Sequence, residues 1–371
     1  MAILSKIKSR INPKKVTTWY GKFERPISSL SLIGGFVFDA LTLKRVDMFW
    51  ENLWILGHII VVGVCIILVH SIENEPGDET NPEKTHFWLV NILQFFFGGL
   101  LSVFLVFYFR SAELSSSWPF ILLLGLAFWA NESLKRHYVR ATFQLSLFFL
   151  SLFSFLIYLV PVVIRRMGGG VFVLAGFLSL AIMLGYLHIF ANFSGEKFYK
   201  HNKMVSFSIL GIYLAINIFY FANLIPPIPI SLKDSGVYHL IERNEQGYIG
   251  QYENIGWKSY FKIYTNFHVY GESSVYIYSA IFSPTGLNLT IIHEWQYFNP
   301  NVNSWEDFDK ISLPVFGGRD GGFRTFSIKN NLSSGKWRVN VLTEGGQVIG
   351  RLRFNIIRSA VLPTLETKVL E

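Results

Sequence analysis

The spacing of hydrophobic positions changes once along the chain. From Ile27 to Ile225 they gather in long runs with few charges, and from Val237 to Arg358 they alternate with polar residues. Ser206 to Ile225 holds twenty residues without a charge, enough at about 1.5 Å per residue to cross a hydrocarbon core about 30 Å thick. Pro226, Pro227 and Pro229 follow. Proline lacks an amide hydrogen and restricts the residue before it, so the helix is expected to stop there. Leu53 to Val69, Phe87 to Phe109, Trp118 to Ala130, Ala141 to Ile164 and Val171 to Ala191 are five further expected spans. Ile27 to Leu43 is the weakest run, 17 residues that include Gly34, Gly35 and Asp39. Such a segment either spans or is re-entrant, so six or seven helices are expected.

Beyond the prolines, Trp257 to Thr265, Ser274 to Phe282 and Lys336 to Leu342 alternate in the manner of half-buried strands. Turn-forming clusters separate them, among them Ser283 to Gly286, Asn299 to Asn301, Gly317 to Gly322 and Asn330 to Gly335. Gly345 and Gly346 are expected to close a hairpin between Lys336 to Leu342 and Gln347 to Ile357. About seven short strands in a stretch of this length suit an immunoglobulin-like sandwich. The predicted fold is therefore an α-helical polytopic membrane domain followed by an all-β immunoglobulin-like sandwich. Its divisions are a basic cytoplasmic tail (1–26), a multi-span domain (27–225), a proline-rich collar (226–236), the sandwich (237–358) and a flexible tail (359–371).

Composition agrees with this division. Of 371 residues, 51% are hydrophobic and only 16% charged, outside the usual balance of a soluble protein. The net charge of +8 lies mostly in the first part. Through Ile230 there are 19 Lys and Arg against 12 Asp and Glu, and after it 14 against 13. The basic excess thus belongs with membrane topology and not with nucleic acid. The N-terminus is basic but has no apolar core before Ile27, so it reads as a cytoplasmic tail and not a cleaved signal. Cys65 is the single cysteine, which excludes an internal disulfide and Cys-based zinc sites. If Ile27 to Leu43 spans, seven basic residues (Lys84, Lys135, Arg136, Arg140, Lys197, Lys200, Lys203) lie on the side of the tail. Five (Lys44, Arg45, Arg110, Arg165, Arg166) lie opposite. The positive-inside rule then favours seven spans, a cytoplasmic N-terminus and an extracytoplasmic C-terminal region; without that span the two sets exchange sides.

Candidate chemistry is sparse. His293 and Trp295 are two apart, so a strand points both to one face. They form either a ligand platform or a core tryptophan with a hydrogen-bonded histidine. Arg338, Arg351 and Arg353 are expected to project from the hairpin face opposite Trp337, Val339, Leu352 and Phe354, with Arg324 near. Such a stripe suits bidentate contacts to anionic glycan or phosphate, and its alternative is a solvated strand face. Polar residues within the spans include His58, Gln94, Glu132 and Asn217; Asp39 and His188 are the strongest candidates for an ion relay or a lipid headgroup site, with interfacial pairing as the alternative. Asp307-Phe308-Asp309 has the spacing of a metal-binding pair but stands alone in an acidic stretch. No nucleophile elbow, His-Glu-x-x-His or phosphate loop occurs. No catalytic residue, metal or cofactor is therefore assigned, and a non-enzymatic role is favoured.

Four separated motifs resemble a known family: His293-Glu294-Trp295, Phe323 to Ser327, Gly335 to Val339, and Gly346 to Gly350 with Phe354. In order and spacing they are similar to the bacterial family catalogued as domain of unknown function 2914. The resemblance covers roughly the last third of the chain. The start of the helical part, with Gly35, Phe36, Asp39, Thr42 and Leu43, resembles the multi-span segment that precedes this domain in some members. It implies a protein of the bacterial inner membrane and envelope and supplies no catalytic residues. The expected function is that of a membrane protein whose sandwich binds an envelope protein or glycan partner beside the lipid bilayer. The alternative is a transporter, channel or lipid-handling protein that uses polar residues of the helical part.

Overall fold

A computed structural model describes residues 34, 36–41, 43, 47–72, 82–133, 141–244, 247–254, 262–284, 286–317, 321–361 and 363–370. The basic tail, most of the acidic loop after the second expected span, the Lys135 to Arg140 connection and most of the strand expected at Trp257 to Thr265 lie outside these residues.

Five helical runs follow residues 36–41, which are also helical: α1 (Phe49–Ile72), α2 (Pro82–Arg110), α3 (Leu114–Ser133), α4 (Ala141–Ile164) and α5 (Gly169–Phe221). The 53 residues of α5 double back on themselves. Phe172 stacks on Tyr220 with ring centroids 3.7 Å apart, and a Cβ on Gly176 would stand 3.2 Å from the Tyr213 ring. Among the described residues, six helical lengths are therefore long and apolar enough to cross a membrane, two of them within α5. At α4 the apolar surface runs all the way round, as a helix enclosed by neighbours requires, and 78% of its span is buried.

The end of α5 is set before the prolines. Asn223 takes a left-handed conformation (φ 56°). Its amide donates to Tyr220 O at 2.9 Å, and the Leu224 amide donates to Phe219 O at 2.8 Å. These two bonds satisfy the last carbonyls in the pattern of a Schellman cap. Of the collar expected at 226–236, residues 226–230 are buried, as is Ile225 before them, and 231–236 already belong to the first strand.

The C-terminal region is β-rich. Its eleven described strands are β1 (Ser231–Tyr238), β2 (Leu240–Asn244), β3 (Gly247–Glu253), β4 (Thr265–Tyr270), β5 (Val275–Phe282), β6 (Leu289–Asn299), β7 (Ser304–Val315), β8 (Phe323–Lys329), β9 (Gly335–Thr343), β10 (Val348–Ser359) and β11 (Leu365–Leu370). They form three sheets, ordered β1-β5-β8, β4-β10-β9-β6-β7 and β11-β3-β2. The small β1-β5-β8 sheet is the middle layer. Val275, Ile277 and Ile281 of β5 join a core with Trp295, Trp337, Val339 and Phe354 of the five-stranded sheet. Tyr278 and Ala280, from the other face of β5, join Tyr238, Ile241 and Leu370 of the third layer. β5, whose alternation in sequence predicts a half-buried strand, is thus covered on both faces, and seven of its eight residues are buried.

Two sequence expectations change here. A two-layer sandwich of about seven strands becomes three layers, because β5 has no solvent face. Residues 359–371, expected as a flexible tail, contain β11, which pairs antiparallel with β3 and buries Leu370 completely. Gly250 of β3 makes room: a Cβ there would stand 2.6 Å from the Tyr238 ring and 3.2 Å from Leu370 Cδ1. Glu253 at the end of β3 ties the layers together, accepting from His239 Nε2 at 2.9 Å and from His268 Nδ1 of β4 at 2.7 Å.

Candidate binding face

The hairpin of β9 and β10 sorts its side chains by period two. Trp337 pairs with Phe354 and Val339 with Leu352, all inward, while Arg338 pairs with Arg353 and Asn340 with Arg351 on the outer face. A polar lattice covers that face. Arg338 Nε donates to Gln296 Oε1 and Arg351 Nε to Asn340 Oδ1, each at 2.5 Å. Asn340 Nδ2 donates to Glu294 Oε2 at 2.8 Å, and Gln296 Nε2 donates to Asp307 Oδ1 at 2.6 Å. Lys310 closes the edge on Glu294 at 2.8 Å and Asp307 at 3.2 Å. Gln296 and Asn340 are buried; polar groups removed from water must be bonded, and these are.

Aromatic rings border the cations. The Arg338 guanidinium lies 4.3 Å over the Trp305 ring, and Lys336 Nζ lies 5.4 Å from the Tyr264 ring and 5.7 Å from that of Phe298. Rings in such positions attract cations through their negative faces. Burial lowers the Arg338 pKa, and its neighbour Arg351 adds to the effect. Burial also lowers that of Arg351, against the opposing pull of Glu113. An arginine starts so high that both remain charged at neutral pH.

The helical region completes the face. Ser115 Oγ, in the first turn of α3, accepts from Arg351 Nη1 at 2.9 Å and Arg353 Nη2 at 3.0 Å. Glu113 lies 3.7 Å from Arg353. Its own position is fixed by capping α3: its carboxylate accepts from the Ser116 amide at 3.1 Å, and its carbonyl from the Ser117 amide at 2.9 Å. Chemically, the face is a set of clustered guanidinium groups beside aromatic rings, with Glu294 and Asp307 in its lattice and Glu113 opposite. It is suited to holding an anion.

Arg324 does not belong to this face. It pairs with Ala280 on the side of the middle sheet that faces β11-β3-β2. There its Nη1 lies 2.7 Å from where a Gly247 Cβ would stand, and its buried Nε has no partner among the described residues.

His293 and Trp295 lie inside, both 0% exposed. Thr325 Oγ1 donates to Ser279 O at 3.2 Å, so it accepts from Ser279 Oγ at 2.8 Å. Ser279 Oγ then accepts from His293 Nε2 at 2.8 Å. At the other end Trp295 Nε1 donates to Ser327 Oγ at 3.1 Å, which donates to His293 Nδ1 at 2.8 Å. The chain of donors assigns the hydrogen of a neutral ring to Nε2. Burial pushes the His293 pKa down to about 4, in keeping with a neutral histidine that joins two sheets.

Asp39 and His188 are not brought together. Asp39 Oδ2 accepts from Ser102 Oγ of α2 at 2.6 Å, while His188 stands on an exposed face of α5. Asp307 and Asp309 do not converge either. Asp307 faces Gln296 and Lys310, Asp309 faces Lys329, and among the described residues no group of three or more His, Cys, Asp or Glu could hold a metal. Glu113, Ser115, Gln296, Asn340 and Trp305 escaped sequence reasoning. For Gln296 and Asn340 the signal is in the sequence, because they occupy the same period-two face as the arginines. Glu113 and Ser115 gave none, since only docking brings a helix start to this sheet.

No curated protein matches the chain. Two solved structures share 9% identity with it: a β-glucosidase from Listeria innocua in complex with isofagomine and the Pseudomonas fluorescens alkylpurine DNA glycosylase AlkC bound to DNA containing an abasic site analog. The first aligns over 36% of this chain and 17% of its own at a TM-score of 0.19, the second over 86% and 100% at 0.21, values too low to indicate a shared fold. The chain thus spans well under two thirds of the β-glucosidase. Residues 288–356, which include β6 to most of β10 and all of His293, Trp295, Arg324, Arg338, Arg351 and Arg353, match the family described as "Protein of unknown function (DUF2914)".

Proposed function

We propose that this is an integral membrane protein of a bacterial envelope whose β-rich region holds an anionic glycan against the arginine face. The observation that carries the reading is the direct pairing of Arg338 with Arg353 across β9 and β10, with Arg351 beside them. Like charges placed opposite each other destabilise a sheet, and on this face Glu113 is the carboxylate nearest Arg353. An anionic partner would relieve that repulsion. Trp305 and Tyr264 provide flat apolar edges beside the charges.

An extracytoplasmic position for the β-rich region goes with this reading. Six crossings bring Phe49 and Phe221 to the same side. Residues 36–41 pack along the outside of the bundle, with Asp39 against Ser102, eight residues before Arg110. That places Asp39 about 12 Å below the end of α2. A chain at that depth is supported as the upper part of a seventh span, which sends the basic tail to the cytoplasm.

The test uses the full chain in lipid nanodiscs with polygalacturonate as an anionic glycan probe. Binding that falls with salt, and that drops about tenfold in Arg338→Gln and in Arg351→Gln, is expected, since a charge-assisted bond contributes about 1.5–3 kcal/mol. Absence of binding by the wild type, or variants that bind as tightly as the wild type, would sink the proposal.

A further inference from the structure

Polar groups in an apolar bundle must find partners, and three of them lie within about one turn of α2 near the end of the bundle that carries the β-rich region. Asp39 Oδ2 accepts from Ser102 Oγ at 2.6 Å. One turn earlier on the same face of α2 stands Gly99. A Cβ there would lie 3.4 Å from both Cδ2 and Nε2 of His58, so the missing side chain lets the imidazole of α1 rest against α2. His58 is only 8% exposed, enclosed by the rings of Trp54 and Phe96 at 4.7 and 4.8 Å.

The hydrogen on that ring can be placed. His58 Nδ1 lies 2.9 Å from Trp54 O, and a carbonyl only accepts, so Nδ1 carries the hydrogen. In the neutral ring Nε2 therefore keeps its lone pair, on the side that faces α2. Arg110 forms the roof, donating to Ala40 O and Leu43 O just past Asp39. On the other side of the segment, Phe36 packs on Phe128 of α3 with centroids 6.0 Å apart. Among the described residues, the charged or titratable groups near the Asp39 segment include His58 from α1 and Arg110 from α2.

We propose that Asp39, Ser102 and His58 form an intramembrane proton site. A proton from water on the side of the β-rich region is taken up by the Asp39 carboxylate, with His58 Nε2 as the second acceptor one turn deeper. A proton fits better than a metal ion, because the site offers one carboxylate, one hydroxyl and one imidazole lone pair, and among the described residues no metal-holding group occurs. An ionised carboxylate in the bundle is costly, so a proton is the simplest ligand that relieves it. Nothing in this site depends on the arginine face.

Infrared difference spectra of the full chain in nanodiscs, recorded between acid and alkaline pH, test this. The wild type is expected to show a protonated-carboxyl band that Asp39→Asn removes. The midpoint of that band should move by about one pH unit in His58→Gln, the scale at which coupled sites stop titrating independently. A band that survives Asp39→Asn, or a midpoint unmoved by His58→Gln, overturns the proposal. Should Asp39→Asn fail to fold, Asp39→Glu keeps a carboxyl in a changed position, and an unshifted band in that variant also overturns it.

Discussion

Arg351 Nη1 lies 2.9 Å from Ser115 Oγ, joining β10 to the first turn of α3 across 236 positions of sequence. The same oxygen receives Arg353 at 3.0 Å, and Glu113 adds an ion pair at 3.7 Å. Together with the buried residues 225–230, these contacts seat the β-rich region directly on the helix ends.

The Arg353 and Glu113 pair should therefore contribute to thermal stability as a unit. With Arg353 about a quarter exposed, solvent screens the pair, and a coupling of about 0.5–1 kcal/mol is expected. A double-mutant cycle of Glu113→Gln and Arg353→Gln, read by melting of the full chain in nanodiscs, measures it. Strictly additive single variants would show that the contact does not form in the membrane-embedded protein.

Acid should loosen the core around His293. Folded, this histidine stays neutral down to about pH 4, whereas an unfolded one charges near its ordinary value of about 6.5. Between those values the unfolded chain binds more protons, so stability falls as pH drops through the window and levels off on either side. The contribution is on the order of 3 kcal/mol. Melting temperature followed against pH in wild type and in His293→Gln checks it, and the variant should lose most of this slope. An unchanged slope would assign the acid sensitivity to other groups.

Leu370 separates a docked strand from a frayed end. Fully buried beside Tyr238 and Tyr278, it should cost about 2–3 kcal/mol when replaced by Ala, together with faster proteolysis after Leu365. A substitution without effect on melting would return these residues to the status of a tail.

The two faces of the β9 and β10 hairpin are legible in the amino-acid order. Trp337, Val339, Leu352 and Phe354 fall inward and Arg338, Arg351 and Arg353 outward because side chains alternate at every residue of a strand. The middle sheet is harder to read. Ser274 to Phe282 reads as a half-buried strand, so the cover on the second face of β5, and with it the third layer, comes only from docking. Likewise β11 reads as a charged, irregular segment, because an edge strand is held by backbone pairing and needs few apolar residues.

Local physics therefore makes the membrane crossings and the inward and outward sets of the hairpin readable from sequence alone, since both depend on the length or period of one segment. Tertiary structure decided which surfaces meet. Ser115 reaching Arg351, Ser102 reaching Asp39 and Ser327 joining His293 to Trp295 are meetings of residues far apart in the chain. Such pairs leave no periodic trace, because each partner satisfies its own element's pattern whether or not the other is there.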